Sequence, residues 1–130
     1  MQNLDQLRAA HALAAAELPR RDQRPKLIDK SSVAKLPGMI LTNGLLATLA
    51  FACEDGKPNR AAMHAAANAL ASHLAKTLPE LAGTNSGSAL GTNLAKGTDL
   101  TLQRATTEAL AYLSYLKRFA EKKDKSENNE

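Results

Sequence analysis

Thr98-Asp-Leu-Thr-Leu-Gln-Arg-Ala-Thr-Thr-Glu-Ala-Leu-Ala-Tyr-Leu-Ser-Tyr-Leu-Lys-Arg-Phe-Ala-Glu-Lys-Lys123 decides the fold. Leu102, Ala105, Ala109, Leu113, Leu116 and Ala120 fall on one side of it at the spacing of an α-helix, about 3.6 residues per turn. Thr98 or Asp99 can cap its start, and at 1.5 Å per residue the helix would reach about 40 Å. A stripe of that length needs other helices to cover it. The predicted fold is all-α, a compact single-domain bundle of about five to six helices with a hydrophobic central helix.

The covering elements are read upstream. Leu4, Leu7, His11, Ala14 and Leu18 predict an amphipathic helix over 3–18, ended by Pro19. A second helix is expected from Lys26 or Asp29 to Leu36, and Pro37-Gly38 then either breaks it or opens the next. From Met39 to Cys53 the chain is apolar nearly all round, which predicts the central helix. Gly44 in its middle is unfavourable by about 1 kcal/mol relative to Ala and is read as a point where a neighbouring helix approaches closely. A turn at Glu54–Pro58 leads to a helix over 59–76 with Met63, Ala66, Ala67, Leu70 and Leu74 inward. The glycine-rich stretch 82–99 is either mobile, ordered by a partner, or holds a short helix around 88–96. Residues 1–123 form the expected domain and 124–130 a disordered charged tail.

Composition narrows the function classes. The chain of 130 residues has no Trp and one cysteine, Cys53, so no disulfide can form within it and a buried, inert thiol is expected. Its opening lacks the pattern of a signal peptide and its longest apolar run is too short to span a bilayer, so the expected location is the cytoplasm, with no membrane partner. The net charge of +4 is accounted for by one stretch, in which Arg20, Arg21, Arg24, Lys26, Lys30 and Lys35 face only Asp22 and Asp29. Such a stretch suits an anionic partner, nucleic acid foremost, or is a solvated linker.

No catalytic set stands out. His11, His64 and His73 are scattered, no ligand spacing for a metal occurs, and all three are read as ordinary helix residues. Gly91-Thr-Asn-Leu-Ala-Lys96-Gly97-Thr98 fails the phosphate-loop pattern, since Lys precedes its Gly and no strand leads in. The expectation is a protein without catalytic residues, metal, cofactor or small-molecule substrate. On the last helix Arg104, Tyr115, Arg118 and Lys122 lie within about 40° of one line, with Glu108 and Ala111 on the same strip. Cations can neutralise phosphates there and a tyrosine can stack on an unpaired base. Equally, the strip can be a solvated face in which Arg104 pairs with Glu108.

Three stretches resemble the small helical subunit of the type III-B CRISPR effector, the Cmr complex: Leu4-Asp-Gln-Leu-Arg-Ala-Ala-His-Ala12, Leu36-Pro-Gly-Met-Ile-Leu-Thr-Asn-Gly-Leu-Leu-Ala-Thr-Leu-Ala-Phe51 and Arg104-Ala-Thr-Thr-Glu-Ala-Leu-Ala-Tyr-Leu-Ser-Tyr-Leu-Lys-Arg-Phe-Ala-Glu121. The resemblance implies a non-catalytic subunit that stacks on copies of itself beside other effector subunits and lines the channel where guide RNA and target RNA pair. Arg20, Arg21, Arg24, Lys35, Arg104, Lys117, Arg118 and Lys122 would then contact RNA phosphates without reading sequence. The alternative is a helical protein-protein interaction module with no nucleic-acid role. A small enzyme using His64 or His73 would need a partner group that the sequence does not display.

Overall fold

Six α-helices surround one aliphatic core in the computed structural model, which describes residues 2–17, 28–55 and 60–120. They are α1 (Leu4–Ala16), α2 (Lys30–Asn43), α3 (Leu45–Ala52), α4 (Ala61–Thr77), α5 (Gly87–Lys96) and α6 (Asp99–Phe119), with one 3₁₀ turn at Pro79–Leu81 between α4 and α5. No strand occurs among the described residues. The tail 124–130 and the basic residues Arg20, Arg21, Arg24, Lys26 and Lys122 lie outside them.

Local chemistry sets the helix starts. Asn3 and Gln6 exchange hydrogen bonds of 2.8 Å in a capping box that opens α1. Asp29 Oδ1 accepts from the Ser32 amide at 2.8 Å, Ser86 Oγ from that of Ala89 at 3.1 Å, and Thr98 Oγ1 from that of Thr101 at 3.1 Å, opening α2, α5 and α6. Each satisfies an amide that the helix itself leaves unpaired. Of the readings open for the glycine-rich stretch, the short helix is what forms.

The long α6 packs against α1, α2 and α4, while α5 closes the other side on α3 and α4. Of the stripe expected on α6, Ala105, Ala109, Leu113, Leu116 and Ala120 are buried and Leu102 is half-buried, and Tyr112 and Glu108 join the buried side. Met63, Ala66, Ala67, Leu70 and Leu74 are all buried on α4, whose many alanines let neighbours come close. In α1 the inward face is rotated from the expected one: Ala12, Ala15 and Ala16 are buried, whereas Leu4 and Ala14 are exposed. Short alanine side chains, rather than the leucines, face α6 and α4.

Two breakers behave differently from their sequence reading. Pro37 neither ends a helix nor begins one; α2 runs through it. The hydrogen bond that Pro37 cannot donate is offset by burial of Val33, Leu36 and Ile40 on either side. Gly44 is not a site of close approach, since a Cβ there would meet nothing within 4 Å. Instead its φ of 90° and ψ of 161° end α2 and start α3 in one residue, its amide donating to Ile40 O at 2.8 Å and its carbonyl accepting from Thr48. The apolar run Met39–Cys53 is therefore two helices, and the bend leaves Leu41 75% exposed.

Gly44→Ala should cost about 1–3 kcal/mol, because a side chain is strained at that backbone conformation. Gly38→Ala, inside α2 with open space around it, should instead stabilise by about 0.5–1 kcal/mol. Thermal melts of both variants test this, and equal shifts would contradict a conformational role for Gly44.

Candidate nucleic-acid interface

Of the eight cations singled out from the sequence, four lie among the described residues, Lys35 on α2 and Arg104, Lys117 and Arg118 on α6. Lys117 and Arg118 are exposed in the last turn of α6, where positive charge also complements the helix dipole. Lys35 is exposed on α2, which packs against α6. None of these three makes an ion pair among the described residues. Arg104 lies thirteen residues before Lys117 on α6, about 20 Å away along the axis. Its Nη1 donates to Glu80 Oε2 at 2.7 Å. The Arg104–Glu108 pair read from the sequence does not form, because Glu108 turns inward. Tyr115 is half-buried with its ring 6.4 Å from that of Phe119, so part of its face is already covered.

The unexpected feature is a polar chain under the core stripe. Glu108, 6% exposed, accepts from Arg8 Nε at 2.8 Å and Nη2 at 2.7 Å, a two-pronged contact that ties α1 to α6. Its Oε2 also accepts from His73 Nε2 at 2.7 Å. His73 Nδ1 lies 2.7 Å from His11 Nδ1. Since His73 donates through Nε2, its Nδ1 is the acceptor and His11 donates, which fixes both tautomers. Tyr112 stacks on His73, ring centres 4.4 Å apart and 15° from parallel. Of the three histidines scattered in sequence, His11 and His73 are brought together, while His64 stays apart. The sequence signal for this chain is Glu108 itself, one turn from Ala105 and Tyr112 at the edge of an otherwise apolar stripe.

Burial and the charges around them set the protonation of these groups. Desolvation lowers His11, helped by His73 and Lys76. Desolvation also lowers His73, against the pull of Glu108 and with the push of Arg8 and Lys76. Burial alone would raise Glu108, but hydrogen bonds from Arg8 and then His73 hold it below the ordinary carboxylate value. The Arg8 guanidinium, bonded first to Glu108, is held charged.

Both histidines therefore take up protons more readily in the unfolded chain than in the folded one. Their contribution to stability is complete above the ordinary histidine value of 6.5 and is lost as pH falls through the lower folded values. Urea unfolding should give a plateau above about pH 7.5. Below about pH 6.5 stability should fall by at most ~1.4 kcal/mol per pH unit for each histidine. A flat profile down to about pH 5 would refute the neutral pair.

Among the described residues no group of three His, Cys, Asp or Glu is placed to hold a metal ion, and no helix is long and apolar enough to cross a membrane. Cys53 is buried, its thiol pushed up by desolvation.

The sequence profile of the CRISPR-associated protein family Cas_Cmr5 matches residues 4–123. The X-ray crystal structure of a CRISPR-associated Cmr5 family protein from Thermus thermophilus has the same fold, with a TM-score of 0.66 and 25% sequence identity over 91% of this chain and 95% of that one. No curated protein matches the chain.

Proposed function

The chain belongs to the Cas_Cmr5 family of CRISPR-associated proteins, small subunits of the Cmr effector complex, and from that premise we propose that it is a non-catalytic, RNA-contacting subunit of the cytoplasmic type III-B assembly. It stacks on copies of itself beside the other effector subunits and contacts the backbones of guide and target RNA through its basic faces. The observation that carries this reading is the set of exposed cations on two packed helices, Lys35 on α2 and Lys117 and Arg118 on α6, that make no ion pair among the described residues. The run Arg20, Arg21 and Arg24 and the residue Lys122 add to it in sequence. Contacts of this kind are sequence-indifferent and screened by salt. Arg104 contributes less, because its guanidinium is already paired with Glu80.

Reversing Lys117 and Arg118 to Glu tests the reading. Binding of single-stranded RNA should weaken at least about tenfold, and the slope of log K against log salt should shrink by roughly 0.7 for each phosphate that is no longer neutralised. Helix content and co-purification with the other effector subunits should persist. RNA affinity equal to that of the unaltered chain at low salt would remove the proposed role of this helix end.

A second reading, docking of a protein partner without RNA, has its own observation. Leu4 and Leu100 are 42% and 61% exposed and line one surface cavity beside Leu78, Gln103 and Arg104. Loss of co-purification in Leu4→Glu/Leu100→Glu, with RNA binding intact in the lysine and arginine variants, would favour it.

A further inference from the structure

The His11–His73 pair also lines a cavity of about 390 Å³ between α1 and α4, floored by α6. Its walls are alanines, Ala14 and Ala15 on α1 and Ala65 and Ala69 on α4, whose methyl groups leave a slot where larger side chains would close the groove. Ser72 and Lys76 are exposed at its edge, and neither makes an ion pair or a side-chain hydrogen bond among the described residues. The floor carries Tyr112, which is fully buried and whose phenol oxygen has no hydrogen-bond partner among those residues. Such a hydroxyl is costly to leave unmet. His11 is fixed as the Nδ1–H tautomer by His73, so its Nε2 carries a lone pair that no described protein group uses.

A nitrogen acceptor lines an apolar slot with a cation at its edge, and the phenol O–H of Tyr112, one of the lining residues, is buried and unpartnered among the described residues. That pattern, an apolar pocket with a few convergent polar groups, marks a site for a small organic ligand. The complementary molecule has a flat body with both donors and acceptors on its edge, and a negative charge at one end.

We propose that the cavity is a nucleotide site, in which the base lies between the alanines of α1 and α4 with its polar edge toward Tyr112 and His11, and the phosphate meets Lys76. The choice of a nucleotide over another organic anion rests on the RNA-contacting reading above; the slot and the unpartnered phenol stand without it. In sequence the basic run Arg20–Arg24 begins five residues after Ala15, next to the slot's own helix. The nucleotide comes either from solution or from an RNA strand with one base turned out, and the same groups would hold both.

Titration of the full chain, followed by NMR, tests the site. The probes are adenosine, guanosine, cytidine and uridine 5′-monophosphates, ribose 5-phosphate, an oligouridine strand and the same strand with an abasic position. Shifts should concentrate at His11, Ala69 and Lys76, with at least one nucleotide binding about tenfold more tightly than ribose 5-phosphate. Lys76→Ala should weaken it about tenfold. Ala69→Phe should abolish it by filling the slot. Tyr112→Phe, which removes an unpartnered hydroxyl, should weaken it severalfold while the melting temperature stays the same or rises.

The two strands separate the sources. Nucleotide shifts together with weaker binding of the abasic strand support an RNA base as the occupant. Nucleotide shifts without any RNA binding support a free nucleotide and sink the RNA reading instead. RNA binding without shifts at the slot, or equal binding of ribose 5-phosphate and nucleotide, overturns the proposal and leaves the RNA reading standing. No binding of either probe overturns both.

Discussion

Glu108→Ala is expected to destabilise the protein by about 3–5 kcal/mol and to lower its melting temperature by roughly 10–20 °C. The carboxylate is the shared acceptor of three hydrogen bonds, two from Arg8 and one from His73, each 2.7 or 2.8 Å long. Without it Arg8 keeps a charge at a side chain only 19% exposed, and His73 keeps a buried Nε2–H with nothing to accept it. Water can reach Arg8 from its exposed edge, where Asp5 also pairs with it, so the loss belongs in the lower half of that range if α1 relaxes outward. Glu108→Gln keeps the volume and one acceptor but not the charge, and should fall between alanine and the native residue. Replacing the set together, Arg8→Met, His73→Leu and Glu108→Leu, should cost less than removing Glu108 alone, because no charge is then stranded. A chemical-denaturation midpoint for Glu108→Ala within the error of the native chain would show that the chain of polar groups holds nothing.

How much of this is legible in the sequence follows from what one-dimensional patterns encode. The stripe of α6 and the face of α4 are readable, since a run of apolar residues at helical spacing points to one side whatever packs against it. The phase of α1 is not, because with Ala9, Ala10, Ala12, Ala14, Ala15 and Ala16 the choice of inward face depends on how close α4 and α6 come. Gly44 is conspicuous but ambiguous: a glycine in an apolar run serves either a close approach or a positive φ, and only coordinates separate the two. The eight RNA-contacting candidates rest on charge and helical face. Lys35, Lys117 and Arg118 are exposed and make no ion pair among the described residues, Arg104 is drawn to Glu80, and the other four lie outside those residues. The polar chain escapes a sequence reading because its members are 62 and 100 residues apart, a separation no local pattern bridges.

The close approach expected at Gly44 exists instead at Gly87, the first residue of α5, and Gly87→Ala should cost about 1–3 kcal/mol, Gly87→Val about 3 kcal/mol. A Cβ there would stand 2.6 Å from Cys53 Sγ and 2.8 Å from Ala67 Cβ, so the atom would overlap α3's end and α4 at once. The helix start cannot simply retreat, since the Gly87 amide donates to Asn68 Oδ1 at 2.8 Å and moving outward would break that bond. Cys53→Ala removes one of the two clashes and should recover about 1 kcal/mol of the loss, a coupling readable from a double-mutant cycle. The sharper comparison exchanges the methyl group across the contact. Ala67→Gly with Gly87→Ala keeps the total volume, relieves the 2.8 Å overlap, and should leave a loss close to the ~1 kcal/mol that a glycine costs inside a helix such as α4, plus the remaining strain against Cys53. Urea midpoints with an unchanged m-value check each variant. Independent, additive costs for Gly87→Ala and Ala67→Gly would mean that α5 shifts freely on α4, and that the glycine at its start is there for some reason other than contact.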